Sequence, residues 1–460
     1  MIMILDVDVT AERRHYNTHR PRGRYHHPLN LLNLLNLLNL LNLHTEGVSK
    51  GEAATTTLGP GGCLTLEPRV PKAYPSQESS SPAKAMQKEG ILLNTEKTVS
   101  AGRKKKKLHI EFLRALCIWL VMFTHTSTAG FSLYIERPAS FFYPLYLAVP
   151  FWVKTAVPIF FMISGALLLG KEEPISTIWK KRIWRFLQVI FVFSLINYVW
   201  FYHNLPLSIP GHIAKFFTLL YTSDLATAYY FLYIYISFLL MLPIWRKLVK
   251  VLDEKLYLYL IGLNLFFVGV MPMVSFLIFK GSAEMNYFLN PLLAVSEPTF
   301  YFLMGYWIEN VLPQSWLTKR NLVKLGIAAL LGTAAAGAMT WYHGIAAGGM
   351  TEAISERFYD SFLFLNTAFV FCTCRWWFST HHVSEKAGKA LVFFGSMSFG
   401  VMLFEEITRN LTHVIYTHIL LKYMYRIPFI DAVIWISMAY ALGVVITWGL
   451  KKIPYFARLI

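Results

Sequence analysis

Ile110-Glu-Phe-Leu-Arg-Ala-Leu-Cys-Ile-Trp-Leu-Val-Met-Phe-Thr-His-Thr126 decides the reading of this chain. The stretch is apolar enough to enter a membrane, yet it carries Arg114 and His125 with ten residues between them. At 3.6 residues per turn, eleven steps return a helix to within roughly 20° of its starting direction, about 16 Å further along the axis. Arg114 and His125 are therefore predicted to face one interior surface at different depths, His125 deep in the span. Hydrocarbon penalises an ionisable group by several kcal/mol, so such a pair is a candidate functional site by default.

The whole chain fits a membrane protein. It is 55% hydrophobic and only 15% charged, a balance that excludes an ordinary soluble domain. Apolar length and charged punctuation predict spans at 110–133, 146–170, 184–203, 228–246, 256–279, 291–311, 322–343, 359–377, 391–415 and 429–450. The fold class is thus all-α, a polytopic integral membrane bundle of about ten helices. Gly211 to Ser223 reads as an interfacial or re-entrant piece.

Residues 1–107 are a different material from the 108–460 membrane domain. Leu-Leu-Asn repeats from Leu31 to Asn42, a period of three that keeps no single apolar face on a helix or a strand. The run is too short to span, and no small-residue cleavage site follows it. Beyond it lies Gly-, Ser- and Pro-containing linker such as Pro75-Ser-Gln-Glu-Ser-Ser-Ser-Pro82. This basic tail is expected to be disordered, and a start at Met86 or nearby would suit the body.

Lys and Arg gather in cytoplasmic loops, which fixes an expected orientation. Alternate connections after the tail carry 18 basic residues against 7 in the intervening set. Both termini are therefore predicted to be cytoplasmic. No P-loop, Gly-rich dinucleotide turn or HExxH pattern is present, and the four cysteines show no zinc spacing, so no metal is expected.

Two further elements follow the first span. In Ala156-Val-Pro-Ile-Phe-Phe-Met-Ile-Ser-Gly-Ala-Leu-Leu-Leu169, the small pair Ser164-Gly165 lets a ligand or another helix approach closely. In Lys180-Lys-Arg-Ile-Trp-Arg185, Arg182 and Arg185 are three apart on a helical entry and suit either phosphate binding or headgroup anchoring.

An Arg, ten residues and a His on one span, then a Val-Pro-Ile-Phe-Phe-Met-Ile-Ser-Gly span, then Arg-x-x-Arg resembles the acyltransferase-3 family of integral membrane acyltransferases. The resemblance extends from about Leu108 to the C-terminus. It includes Gly305 in Phe302-Leu-Met-Gly-Tyr-Trp307 and Ile427-Pro-Phe-Ile-Asp431, and looks closest to bacterial members that O-acetylate surface polysaccharides. It implies acetyl-CoA as the donor, with Arg114, Ser164, Gly165, Arg182 and Arg185 binding it and His125 as general base. It also implies a glycan or lipid-linked saccharide acceptor at the cell membrane, and no nucleic-acid partner. Arg114 has Glu111 as a competing partner one turn away, and His125 a neighbouring backbone carbonyl.

The chain departs from the family pattern twice. Ala228-Tyr-Tyr-Phe-Leu232 stands where a His-x-Trp start is common, and Ser398-Phe-Gly-Val-Met-Leu-Phe-Glu405 ends in Glu where His is usual. Glu405 is counted as a catalytic candidate that orients His125 or binds a sugar hydroxyl, with neutralisation by Arg409 four residues on as the alternative. Glu297, before Pro298, is a weaker candidate and a possible cap. Tyr229, Tyr230, Tyr233, Tyr235, Trp341 and Tyr342 suit sugar stacking near the outer mouth or an interfacial belt. A saccharide transporter or flippase, or a non-catalytic scaffold, would share the span count. The transporter class should show two related halves, which this sequence lacks.

Overall fold

An apolar segment out of water's reach must satisfy its own backbone hydrogen bonds, and this chain does so with helices. The computed structural model describes residues 107–281, 289, 291, 297–424 and 428–460, among which there is no strand. The tail, with the Leu-Leu-Asn run and its expected disorder, lies outside the described residues up to 106.

The principal helices are α1 (Leu108–Thr124), α2 (Tyr143–Val153), α3 (Ala156–Leu168), α4 (Trp184–Tyr202), α5 (Ile209–Thr222), α6 (Tyr230–Val251) and α7 (Glu254–Asn264). They continue as α8 (Met271–Phe279), α9 (Glu297–Tyr306), α10 (Lys319–Ala346), α11 (Leu363–Thr380), α12 (Glu385–Ile415), α13 (Pro428–Leu450) and α14 (Pro454–Leu459). α5 falls on the predicted interfacial piece, with Ser208 accepting a cap hydrogen bond from the Gly211 N–H.

Among the described residues, seven helical segments are long and apolar enough to cross a membrane: Tyr143–Leu168, Ile175–Tyr202, Thr227–Val251, Glu254–Phe279, Lys319–Ala346, Glu385–Tyr423 and Pro428–Leu450. The other three expected spans differ for separate reasons. α1 has 17 residues, α11 is interrupted by Asn366, Thr367 and Arg375, and the sixth expected span is described only from Glu297 apart from Pro291. Seven is therefore the number that length and composition support. α4 shows what a lipid-facing surface looks like here: Trp184, Leu187, Phe191, Leu195 and Val199, three or four apart, are all exposed.

α1 has the opposite environment. It packs against α3, α11, α12 and α13, and Leu113, Cys117, Ile118 and Met122 are fully buried. A helix enclosed by protein needs no lipid-length apolar surface, which accounts for its shortness. The close crossings around it rely on glycine. A Cβ on Gly165 would strike the Phe302 carbonyl, and one on Gly305 the Met162 carbonyl, so α3 and α9 interlock by a reciprocal pair. Gly395 likewise gives the Glu111 backbone room where α12 crosses α1.

The start of α1 is pinned by charge. Glu309 is buried and lies 2.6 Å from Lys107 Nζ, 3.0 Å from His109 Nε2 and 3.9 Å from Arg375 Nε. This cluster joins α1 to α11 and to the turn after α9. Sequence reading missed it, although an acidic residue inside an expected span was a usable signal.

Candidate active site

Local hydroxyls end α1 at His125. Thr124 Oγ1 donates to Val121 O (2.6 Å) and Thr126 Oγ1 to Phe123 O (2.8 Å), while Thr126 Oγ1 accepts from the Phe131 N–H (2.9 Å). The chain then turns through Ser127, which has a positive φ of 47°. His125 is thus the C-cap of a 17-residue helix, a correction to its expected depth within 110–133. Its side chain keeps 15% of its surface exposed.

The partner of His125 comes from α12. Glu405 is 1% exposed, and its Oε1 lies 3.0 Å from His125 Nδ1 and 3.0 Å from Arg409 Nε. The Arg409 contact is a well-directed hydrogen bond from one turn further along α12. At His125 the distance is that of an ion pair, but the ring N–H is not aligned on the oxygen. The two alternatives for Glu405 are therefore realised together: one oxygen meets both the imidazole and the guanidinium. A carboxylate neutralised in this way can stay ionised in a dry interior.

A recess opens beside this array. Val121, Val157, Phe160, Phe231 and Met402 give it apolar walls, and Thr124, His125, Ala228 and Tyr230 complete it. Both departures from the family pattern converge here, since Ala228 lines the recess and Glu405 holds the histidine. The neighbouring Tyr229 is structural: buried, it accepts from Asn197 Nδ2 (2.7 Å) and donates to Leu403 O (2.8 Å).

The predicted donor-binding arginines lie away from this recess, Arg114 being about three turns before His125 on α1. Arg114, Arg182 and Arg185 all act electrostatically on the Tyr235 hydroxyl, and Ser164, which donates to Phe160 O (2.9 Å), also reaches it. Tyr235 lies on α6 within electrostatic range of these arginines. Arg114 also donates to Glu111 Oε1 (3.1 Å), as its competing reading had it. Arg182 lies in a π-helical turn, Ile178–Ile183, and Arg185 on α4, and the two take different partners. Arg182 makes a bidentate pair with Glu173 (2.7 and 3.1 Å), and Arg185 donates twice to Leu459 O (2.9 and 3.1 Å). Gly165 lies at the helix crossing already described. Glu297 opens α9 within the electrostatic reach of Lys154 and Asp360.

Sequence reading also missed Glu173, which carries the cationic side of this cluster. Besides Arg182 it accepts from Arg246 Nη2 (3.0 Å). The Arg182 hydrogen bond foremost, with that from Arg246, holds the Glu173 carboxyl at about 2, below its ordinary 4.5. A carboxyl depressed by folding stabilises the fold above its unfolded pKa, and this contribution is lost as pH falls through the folded value. Glu173→Gln should lower the melting temperature of detergent-purified protein at pH 7, and the deficit should shrink between pH 4.5 and 2. An equal deficit across that window would dissociate Glu173 from these arginines.

The arrangement is that of a polytopic helical membrane protein with an imidazole–carboxylate centre at the C-terminal end of a buried helix and Arg114 about three turns before it. The family model described as an acyltransferase domain, acyltransferase-3, matches residues 108–452, so this chain belongs to that family and is a membrane acyltransferase. No curated protein and no solved structure matched it.

Proposed function

We propose that the protein is an O-acyltransferase that moves an acetyl or other short acyl group from cytoplasmic acyl-CoA to a hydroxyl of a cell-envelope polysaccharide or lipid-linked saccharide. The observation that carries the reading is the His125–Glu405–Arg409 array beside a recess, joined by α1 to the arginine cluster. With Nδ1 turned to Glu405, His125 offers Nε2 as the base. It takes the proton of the acceptor hydroxyl while that oxygen adds to the thioester carbonyl. The C–S bond then breaks, and the leaving thiolate recovers the proton from the imidazolium. The products are an ester and free coenzyme A.

Arg114, Arg182 and Arg185 supply the charge for the donor's phosphates. A guanidinium has five N–H groups, so Arg182 and Arg185 retain donors beyond those given to Glu173 and Leu459. The basic loops favour a cell-membrane orientation with this cluster and both termini in the cytoplasm.

The direct test is purified protein in liposomes with radiolabelled acetyl-CoA and an envelope-glycan extract. Release of free thiol with label fixed in the glycan is expected. A saccharide transporter or flippase would move glycan and leave acetyl-CoA intact.

A further inference from the structure

We infer that Phe160 and Phe231 limit the length of acyl chain the donor can carry, by closing the recess in front of His125. The inference rests on the acyl-transfer reading above. The recess is small: its roughly 350 Å³ of empty space includes open solvent at the mouth, which leaves no room for the nucleotide. Most of its wall is apolar. With a thioester carbonyl at His125, the group beyond that carbonyl is the one that meets this wall.

Continuity along α6 argues that the occupant is the donor. Phe231 and Tyr235 are one turn apart with ring centroids 6.1 Å apart, and Arg114, Arg182 and Arg185 lie within electrostatic range of Tyr235. One face of α6 therefore runs from the cationic end to the recess. Tyr235 is itself stacked on Phe186 at 4.5 Å, which fixes that face.

The closing rings are held in place. Phe160 from α3 and Phe231 from α6 have centroids 5.9 Å apart, tilted by 59°. Phe231 is stacked on Phe161 at 5.2 Å, and Phe161 packs on Phe302 of α9 at 5.1 Å. Backed by two further rings, Phe231 cannot swing aside to admit a longer chain without repacking the α3–α9 crossing.

The test compares acetyl-, propionyl-, butyryl- and hexanoyl-CoA in the liposome assay, with kcat/KM measured from thiol release. The wild type should lose efficiency as the chain lengthens. Phe231→Ala should raise the butyryl-to-acetyl ratio by about 10-fold or more, the scale on which a hydrophobic pocket discriminates methylenes. Phe160→Leu should move the ratio in the same direction by less, and it decides the matter if Phe231→Ala does not accumulate. A wild type that prefers butyryl-CoA, or ratios unchanged in both variants while acetyl transfer persists, would overturn the inference alone. Absence of transfer from every acyl-CoA by the wild type would remove the acyl-transfer reading with it.

Discussion

Membranes carrying His125→Ala should incorporate labelled acetyl from acetyl-CoA into glycan about 10²–10⁴-fold more slowly than wild type, at unchanged protein level, as expected for loss of a general base. His125 alone combines a place in the recess with a carboxylate behind its other ring nitrogen. Its removal should spare donor binding, because Arg114 lies about 16 Å along α1 from His125, an eleven-residue rise. The KM for acetyl-CoA should therefore change far less than kcat. Full-rate incorporation by the variant would take His125 out of the mechanism.

Glu405→Gln should be the next most damaging change, with kcat reduced on the order of 10²–10⁴-fold. The nearly isosteric amide keeps the shape of Glu405 but loses the charge that fixes the imidazole tautomer and stabilises the imidazolium formed during transfer. Because Oε1 serves both His125 and Arg409, the substitution also disturbs the α12 ion pair. A melting curve for each variant separates that structural cost from the kinetic one. Glu405→Asp, which retains the charge one methylene shorter, should keep more activity than Glu405→Gln at the same donor KM. Equal losses in the two variants would show that the charge of Glu405 does not act on the histidine.

Much of this site was legible one helix at a time. The interval between Arg114 and His125 set them on one face of one helix about three turns apart, because the helical repeat is a property of the backbone. Ser164-Gly165 marked a place of close approach, and the structure resolves the occupant of Gly165 as the Phe302 carbonyl. The spacing of Arg182 and Arg185 suggested a shared direction, and both lie near Tyr235, yet they bond to Glu173 and to Leu459 O, from segments that the spacing does not reach. The span count suffered similarly: hydropathy reads lipid exposure, whereas α1 is enclosed by other helices and α11 carries polar residues.

The sequence by itself determined the membrane class, the helical architecture, the family resemblance and which residues were chemically exceptional in apolar surroundings. The resemblance rests on short motifs read along the chain, and the rest follows from composition and periodicity, which act over a few turns of chain. Only the tertiary structure decided that Glu405 meets His125 across 280 residues of chain, that Ala228, Phe160 and Phe231 line one recess with His125, and that Glu173 joins Arg182 to Arg246. Those pairings depend on where α12 and α6 cross α1 and α3. The crossings are set by glycine-sized gaps and ring packing between distant segments, which no periodicity within one segment encodes.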